Sequence, residues 1–258
     1  GFDYKWDMGW MNDTLDYCKT DFPYRPGCHD KLTFSMMYNF SEHFILPLSH
    51  DEVVHGKLSL LSRMPGDYWR QFAGLRLLLL YQITHPGGKL CFMSTEYAPF
   101  IEWREYESLE WFLLQYPAHS MHQDYVKSLN ALYQNTPALW QRDRSWEGFH
   151  WLDAGDSAQS ILIYRRTGEK PMESVTVLLN FQPDVYGSFR IGVPGPGRYR
   201  EIFCSDQKEF GGSGKGNFKV LQAESVPYHG EKYSVCVEVP PIGGILLQKV
   251  PKTRKPRK

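Results

Sequence analysis

The sequence predicts an α/β portion built on parallel strands, followed by an all-β sandwich. Between about residues 44 and 94, short apolar runs flank a long helical pattern, the strand–helix–strand order that builds parallel sheets. Beyond roughly residue 144 the period changes from helical to alternating, with short apolar runs set off by Gly, Pro and Asp turns. The 258 residues are 42% apolar, 15% aromatic and 22% charged, an ordinary globular composition long enough for a sizeable core.

Taken in order, residues 1–17 place Phe2, Tyr4 and Trp6 in alternation, then Met8, Trp10, Met11 and Leu15. This reads as a short strand turning into a helix, with Asn12 or Asp13 near its cap. Residues 20–31, with Pro23, Pro26 and Gly27, read as a loop, and Thr33 as the cap of a helix to about Phe40. The run from Phe44 to Leu48 fits a strand buried on both faces. Pro47 inside it gives no ladder hydrogen bond, so a bend aiming the next residues into a pocket is expected. Asp67, after Pro65-Gly66, caps a helix whose Trp69, Phe72, Leu75, Leu79 and Ile83 form one apolar stripe. His85-Pro86-Gly87-Gly88 stops it, and residues 89–94 give a second buried strand. Residues 123–134 form an amphipathic helix with Tyr125, Leu129, Leu132 and Tyr133 inside, closed by Pro137. Strands are then expected at 160–166, 175–181, 189–193, 199–203, 233–239 and 244–249. The domains implied are 1–144, 145–250 and a basic tail at 251–258.

Lysine plus arginine equals aspartate plus glutamate at 29 each, and the last eight residues, PKTRKPRK, hold five of the cations. The body is therefore slightly acidic, which argues against nucleic acid as a partner. The tail reads as a solvated terminus. The longest apolar segment, around Leu77–Tyr81, is too short to span a bilayer, and no signal peptide is visible. The five cysteines are scattered, odd in number and without a CxxC pair, a pattern of free thiols in the cytoplasm. No cofactor motif occurs. The chain opens on Gly1 inside an organised motif and reads as the continuation of something longer.

The chemistry concentrates in Leu48-Ser-His-Asp-Glu-Val-Val-His-Gly-Lys57, where an apolar strand turns abruptly polar. Titratable residues at the C-terminal end of such a strand sit where barrel and open α/β enzymes keep their active sites. A zinc reading fails, because His50 and His55 are five residues apart and diverge on a helix; no metal site is expected. A solvated loop with histidines by chance is the plain alternative. On the functional reading, the Asp51 carboxylate offsets positive charge developing on a substrate while His50 hydrogen-bonds a hydroxyl.

LSHDEVVHGK (48–57) resembles a signature of the 1,4-α-glucan branching enzymes of the α-amylase superfamily. GFDYKWDMGWMNDTLDY (1–17), MPGDYW (64–69), GKLCFMSTEYAPFIEW (88–103), RIGVPGPGRYREIF (190–203) and FGGSG (210–214) are similar to the same family in the same order. The resemblance covers all but the tail. It implies the C-terminal part of a (β/α)8 barrel followed by a β-sandwich, with Asp51 as transition-state stabiliser and His50 as a substrate ligand. Lys5, Trp6 and Trp10 lie in a stretch that borders the substrate cleft in the family.

The implied reaction cleaves an α-1,4 bond in a glucan such as amylose or glycogen and transfers the chain to a C6 hydroxyl. Retaining transfer needs two further carboxyl groups about 5–5.5 Å apart, a nucleophile and an acid/base. Their motifs do not occur here, and Glu52, Glu96, Glu102 and Asp7 match no catalytic position of the family. A barrel needs eight strands, whereas residues 1–144 supply about three. The expected partner is thus the missing N-terminal half, and this chain alone should be inactive. Two other readings remain: a non-catalytic glucan-binding protein, and another α-amylase-superfamily hydrolase or trehalose-forming enzyme.

Overall fold

The computed structural model describes residues 1–251, so all but the first residue of the basic tail lies outside it. Three strand-then-helix units open the chain. β1 (Lys5–Trp6) leads into α1 (Met8–Lys19), β2 (Phe44–Leu48) precedes α2 (Tyr68–Thr84), and β3 (Gly88–Cys91) precedes α3 (Pro117–Asn135). The strands form a parallel sheet in the order β1-β2-β3, with Lys5 opposite Phe44 and Ile45 opposite Gly88. No helix among the described residues is long and apolar enough to cross a membrane.

Local chemistry explains where these elements differ from expectation. α1 starts at Met8, capped by Asp7 rather than Asn12 or Asp13; Asp7 Oδ1 accepts from Trp10 N at 2.8 Å and from Tyr38 Oη at 3.0 Å. Residues 33–40 form a short 3-10 turn, Phe34–Met37, instead of a helix. So short a segment does not repay helix nucleation, and its buried Ser35 bonds outward to His85 Nε2 at 3.2 Å. α3 begins six residues early, with Pro117 in its first turn, where a missing N–H costs nothing. Its polar-looking first turns hide His119 and His122, both buried.

Pro47 does not bend β2: Leu46, Pro47 and Leu48 face Lys89, Leu90 and Cys91 in unbroken register. β1 pairs only with Phe44 and Ile45, so Pro47 lies where one edge of β2 is open and a lost donor is tolerated.

The second half is antiparallel. A six-stranded sheet runs β4-β5-β6-β11-β8-β9: β4 (Phe149–Asp153), β5 (Ile161–Arg166), β6 (Val175–Asn180), β11 (Gly243–Lys249), β8 (Arg198–Cys204) and β9 (Leu221–Gln222). β10 (Tyr233–Val239) pairs with β7 (Tyr186–Val193) to face it. Neither β4 nor the two-residue β9 is among the strands expected from the sequence. Residues alternate between two cores. Ile161, Ile163, Leu178, Ile245 and Leu247 meet Ile191, Val193, Val235 and Val237 inside the sandwich. Leu162, Tyr164, Val177, Leu179 and Leu246 face the other way, onto α2.

α2 is therefore enclosed. Every residue from Phe72 to Thr84 is buried, where a single stripe was expected. Gln82 Nε2 donates to Leu46 O and Leu90 O at 3.0 Å each, fixing the helix to the parallel sheet. On its far side β11 comes so close that a Cβ on Gly244 would lie 2.8 Å from Leu80 Cδ2 and 2.9 Å from Leu178 O.

Three buried arginines cross between the halves by donating to main-chain carbonyls. Arg25 reaches Cys18 O and Thr20 O on one side and Phe181 O on the other. Arg76 on α2 reaches Ser205 O at 2.9 Å and Phe210 O at 3.0 Å. Arg166 on β5 reaches Thr84 O at 2.6 Å and Leu139 O and Gly148 O at 3.2 Å each, and pairs with Asp143.

Burial also holds His85 and His122 neutral, pushing each down to about 3. Their folded values lie below the unfolded value near 6.5, so the unfolded chain takes up protons first. The contribution of these two histidines to stability is then full above about pH 6.5 and falls as the pH drops toward 3. Thermal unfolding followed by circular dichroism should show a lower midpoint at pH 5 than at pH 7, and replacing both histidines by Gln should flatten that slope.

Candidate active site

β2 ends at Leu48, and Ser49 continues it in extended conformation before the chain closes into a single 3-10 turn, His50–Glu52. A reciprocal cap holds the turn. Ser49 N and Ser49 Oγ both donate to Glu52 Oε2 at 2.7 Å, while Ser49 Oγ accepts from Asp51 N at 3.2 Å. Glu52 is buried, and the Arg63 guanidinium donates to its carbonyl. Val53 N closes the turn on His50 O at 3.0 Å, and Trp103 N donates to Val53 O at 2.8 Å.

The next residues are braced from the loop after β3. Glu102 accepts from Leu58 N at 2.7 Å and Gly56 N at 3.1 Å, with His55 Nδ1 at 3.6 Å. These N–H groups, Leu58 first, hold its carboxyl below the usual carboxylate range. Leu58 has a φ of 66°, a conformation an L-leucine adopts only when its surroundings impose it.

Against this frame His50 and Asp51 turn outward. Their side chains are 48% and 54% exposed and touch each other, His50 Nε2 to Asp51 Oδ1 at 3.4 Å. The imidazole stands beside Phe92 and Trp103, centroids 5.9 and 6.2 Å away. Among the described residues, Asp51 makes no other side-chain hydrogen bond or ion pair, so its carboxylate is open to an incoming ligand. Three other carboxylates named above are engaged: Glu52 by Ser49, Glu102 by two main-chain amides and Asp7 by Trp10 and Tyr38. One accessible carboxylate beside one imidazole can stabilise developing positive charge and bind hydroxyls, but it cannot supply both nucleophile and acid. No group of three or more His, Cys, Asp or Glu among the described residues could hold a metal ion.

The three remaining sequence candidates separate. Lys5 is exposed, pairs with Glu42 at 3.7 Å and lies 5.9 Å above the Phe44 ring. Trp6 is 39% exposed on β1 opposite Ile45, roughly 13 Å short of Ser49 along the strand. Trp10 is a core residue, 1% exposed and packed near Tyr81 and His85, and has no surface to offer a sugar. Sequence reading overlooked Ser49 as the partner of Glu52, although Ser-x-x-Glu at 49–52 is a capping-box pattern. The Glu102 brace carries no local signal, because its targets lie more than 40 residues away.

Comparison with known proteins gives consistent relatives. Residues 151–250 match the family described as "Alpha amylase, C-terminal all-beta domain". The 1,4-alpha-glucan branching enzyme GlgB of Halothermothrix orenii is 48% identical over 248 residues, 96% of this chain and 39% of that protein. Its namesake from Bacillus cereus is 50% identical over 255 residues, 99% of this chain and 39% of that one. The chain thus spans about two fifths of the length of the curated relatives it matches. Among solved structures, a type I pullulanase from Bacillus subtilis complexed with maltose superposes with a TM-score of 0.67 at 14% identity, covering 95% of this chain and 35% of that one. The α-amylase from H. orenii gives 0.58 at 13% identity, covering 97% and 49%. The described fold is therefore that of the corresponding parts of amylases and pullulanases, ending in their all-β domain.

Proposed function

We propose that the chain belongs to the 1,4-α-glucan branching enzymes, two of which are 48% and 50% identical to it over 39% of their own length, and that it supplies one wall of the transfer site in a larger enzyme. Residues 1–144 are read as the closing strand–helix units of a (β/α)8 barrel, and 145–250 as the sandwich that follows. In the complete barrel an α-1,4 glucan is cleaved and its chain passed to a C6 hydroxyl, leaving an α-1,6 branch. Asp51 stabilises the partly cationic sugar ring, and His50 donates to one of its hydroxyls. Lys5 and Trp6 extend the glucan surface; Trp10 does not take part. The nucleophile and the acid/base come from the rest of the barrel. The unpaired thiols fit a cytoplasmic setting.

The observation that carries this reading is the exposed His50–Asp51 pair, open to ligand while Glu52 and Glu102 are held by hydrogen bonds. Iodine-stained amylose provides the test. The isolated chain should neither lower the absorbance nor release reducing sugar. Joined to the N-terminal part of a branching enzyme, it should lower the absorbance with no rise in reducing ends. Reducing-sugar release would instead make it part of a hydrolase. Branching by the isolated chain would overturn the division of labour, and retention on amylose with no activity in the joined protein would favour a binding role.

A further inference from the structure

Glu52 is the one carboxylate of the turn that faces inward, and its placement constrains its two neighbours. In a 3-10 turn successive side chains point about 120° apart. With Glu52 fixed against Ser49, the directions of His50 and Asp51 are no longer free. We propose that Glu52 is a positioning residue for the transfer reaction, setting the rotational phase of the turn so that Asp51 and His50 both face the substrate side. This rests on the reading of Asp51 as the transition-state stabiliser.

The cap also reaches the peptide of Asp51 itself. Both hydrogen atoms that Ser49 can donate, from N and Oγ, converge on one Glu52 oxygen at 2.7 Å, and the same hydroxyl takes the Asp51 amide. The peptide carrying Asp51 is thus tied through Ser49 to Glu52. Downstream, Arg63 on the Glu52 carbonyl and Trp103 on the Val53 carbonyl stop the turn from relaxing in the other direction. Glu52 also lines an open groove formed with Met11 and Leu15 of α1 and with Lys57, Leu58 and Ser62. Water can enter there when its side chain is shortened, so the turn loosens without collapse of the core.

The test uses the joined, full-length enzyme with kcat, KM for amylose and melting temperature measured together. Glu52→Ala should lower kcat ~10²-fold, the penalty for misplacing a catalytic group by about 1 Å, while KM stays within about twofold. Glu52→Gln keeps an acceptor oxygen and should restore kcat to within about fivefold of the parent, since geometry rather than charge is at stake. Ser49→Ala should lower kcat about tenfold with an unchanged KM, and it decides the matter if Glu52→Ala does not fold. A parental kcat in Ser49→Ala, or equal losses in the Ala and Gln variants, overturns the proposal. Asp51→Ala separates the two levels. If it is inactive while Glu52→Ala is parental, the positioning role falls; if it is itself active, the reading of Asp51 falls first.

Discussion

Asp51→Asn in the full-length enzyme should cut branching by at least about 10²–10³-fold, the loss seen when one preorganised electrostatic group is removed from a transition state. The melting temperature should hardly move. The Asp51 side chain is half exposed and touches only His50, at 3.4 Å, and an exposed pair of this kind contributes about 0–1 kcal/mol. Asparagine has the same shape and still accepts a hydrogen bond, so ground-state contacts with sugar hydroxyls persist. On the role proposed for Asp51, the charge that would meet a developing oxocarbenium ion does not. kcat should therefore fall far more than KM rises. A variant that branches normally would remove Asp51 from the chemistry, and one that melts several degrees lower while remaining active would make it a structural group.

Arg166→Ala is expected to have the largest effect on folding, about 3–5 kcal/mol, the usual cost of removing one member of a buried charged pair. The side chain is fully buried, and its loss leaves the Asp143 carboxylate only the Gly87 amide and strands the carbonyls of Thr84, Leu139 and Gly148. These acceptors sit at the end of α2, in the turn after α3 and at the head of β4, so one substitution loosens three junctions. Denaturant unfolding of the isolated chain measures it directly. Arg166→Lys should recover only part of the loss, because an ammonium cannot reach four acceptors with the planar fork of a guanidinium. A change below about 1 kcal/mol for the alanine variant would show that water replaces the arginine at little cost.

The parts of the molecule legible in sequence are those where burial and period coincide. Phe44–Leu48 and the run at 233–239 are strands at the places expected, and Asp67 caps α2 because its side chain reaches Arg70 N at 2.9 Å. Legibility fails where tertiary contacts decide. The start of α3 is hidden by two histidines that look solvated and are buried. Residues 33–40 carry a helical pattern but spend Ser35 on His85, and Trp10 resembles a sugar platform while serving the core. At the site, His50 and Asp51 stand out because an apolar strand ends in polar groups. Glu52 did not, since the pattern that marks a helix start heads only one turn here.

Because α2 lacks a solvent side beyond its first turn, neither of the flanking sheets can be traded independently of the other. A foreign sandwich grafted after residue 148 would meet leucines shaped for Gly244 and its neighbours, so recombination between distant relatives must carry the helix and its β cover as one heritable block.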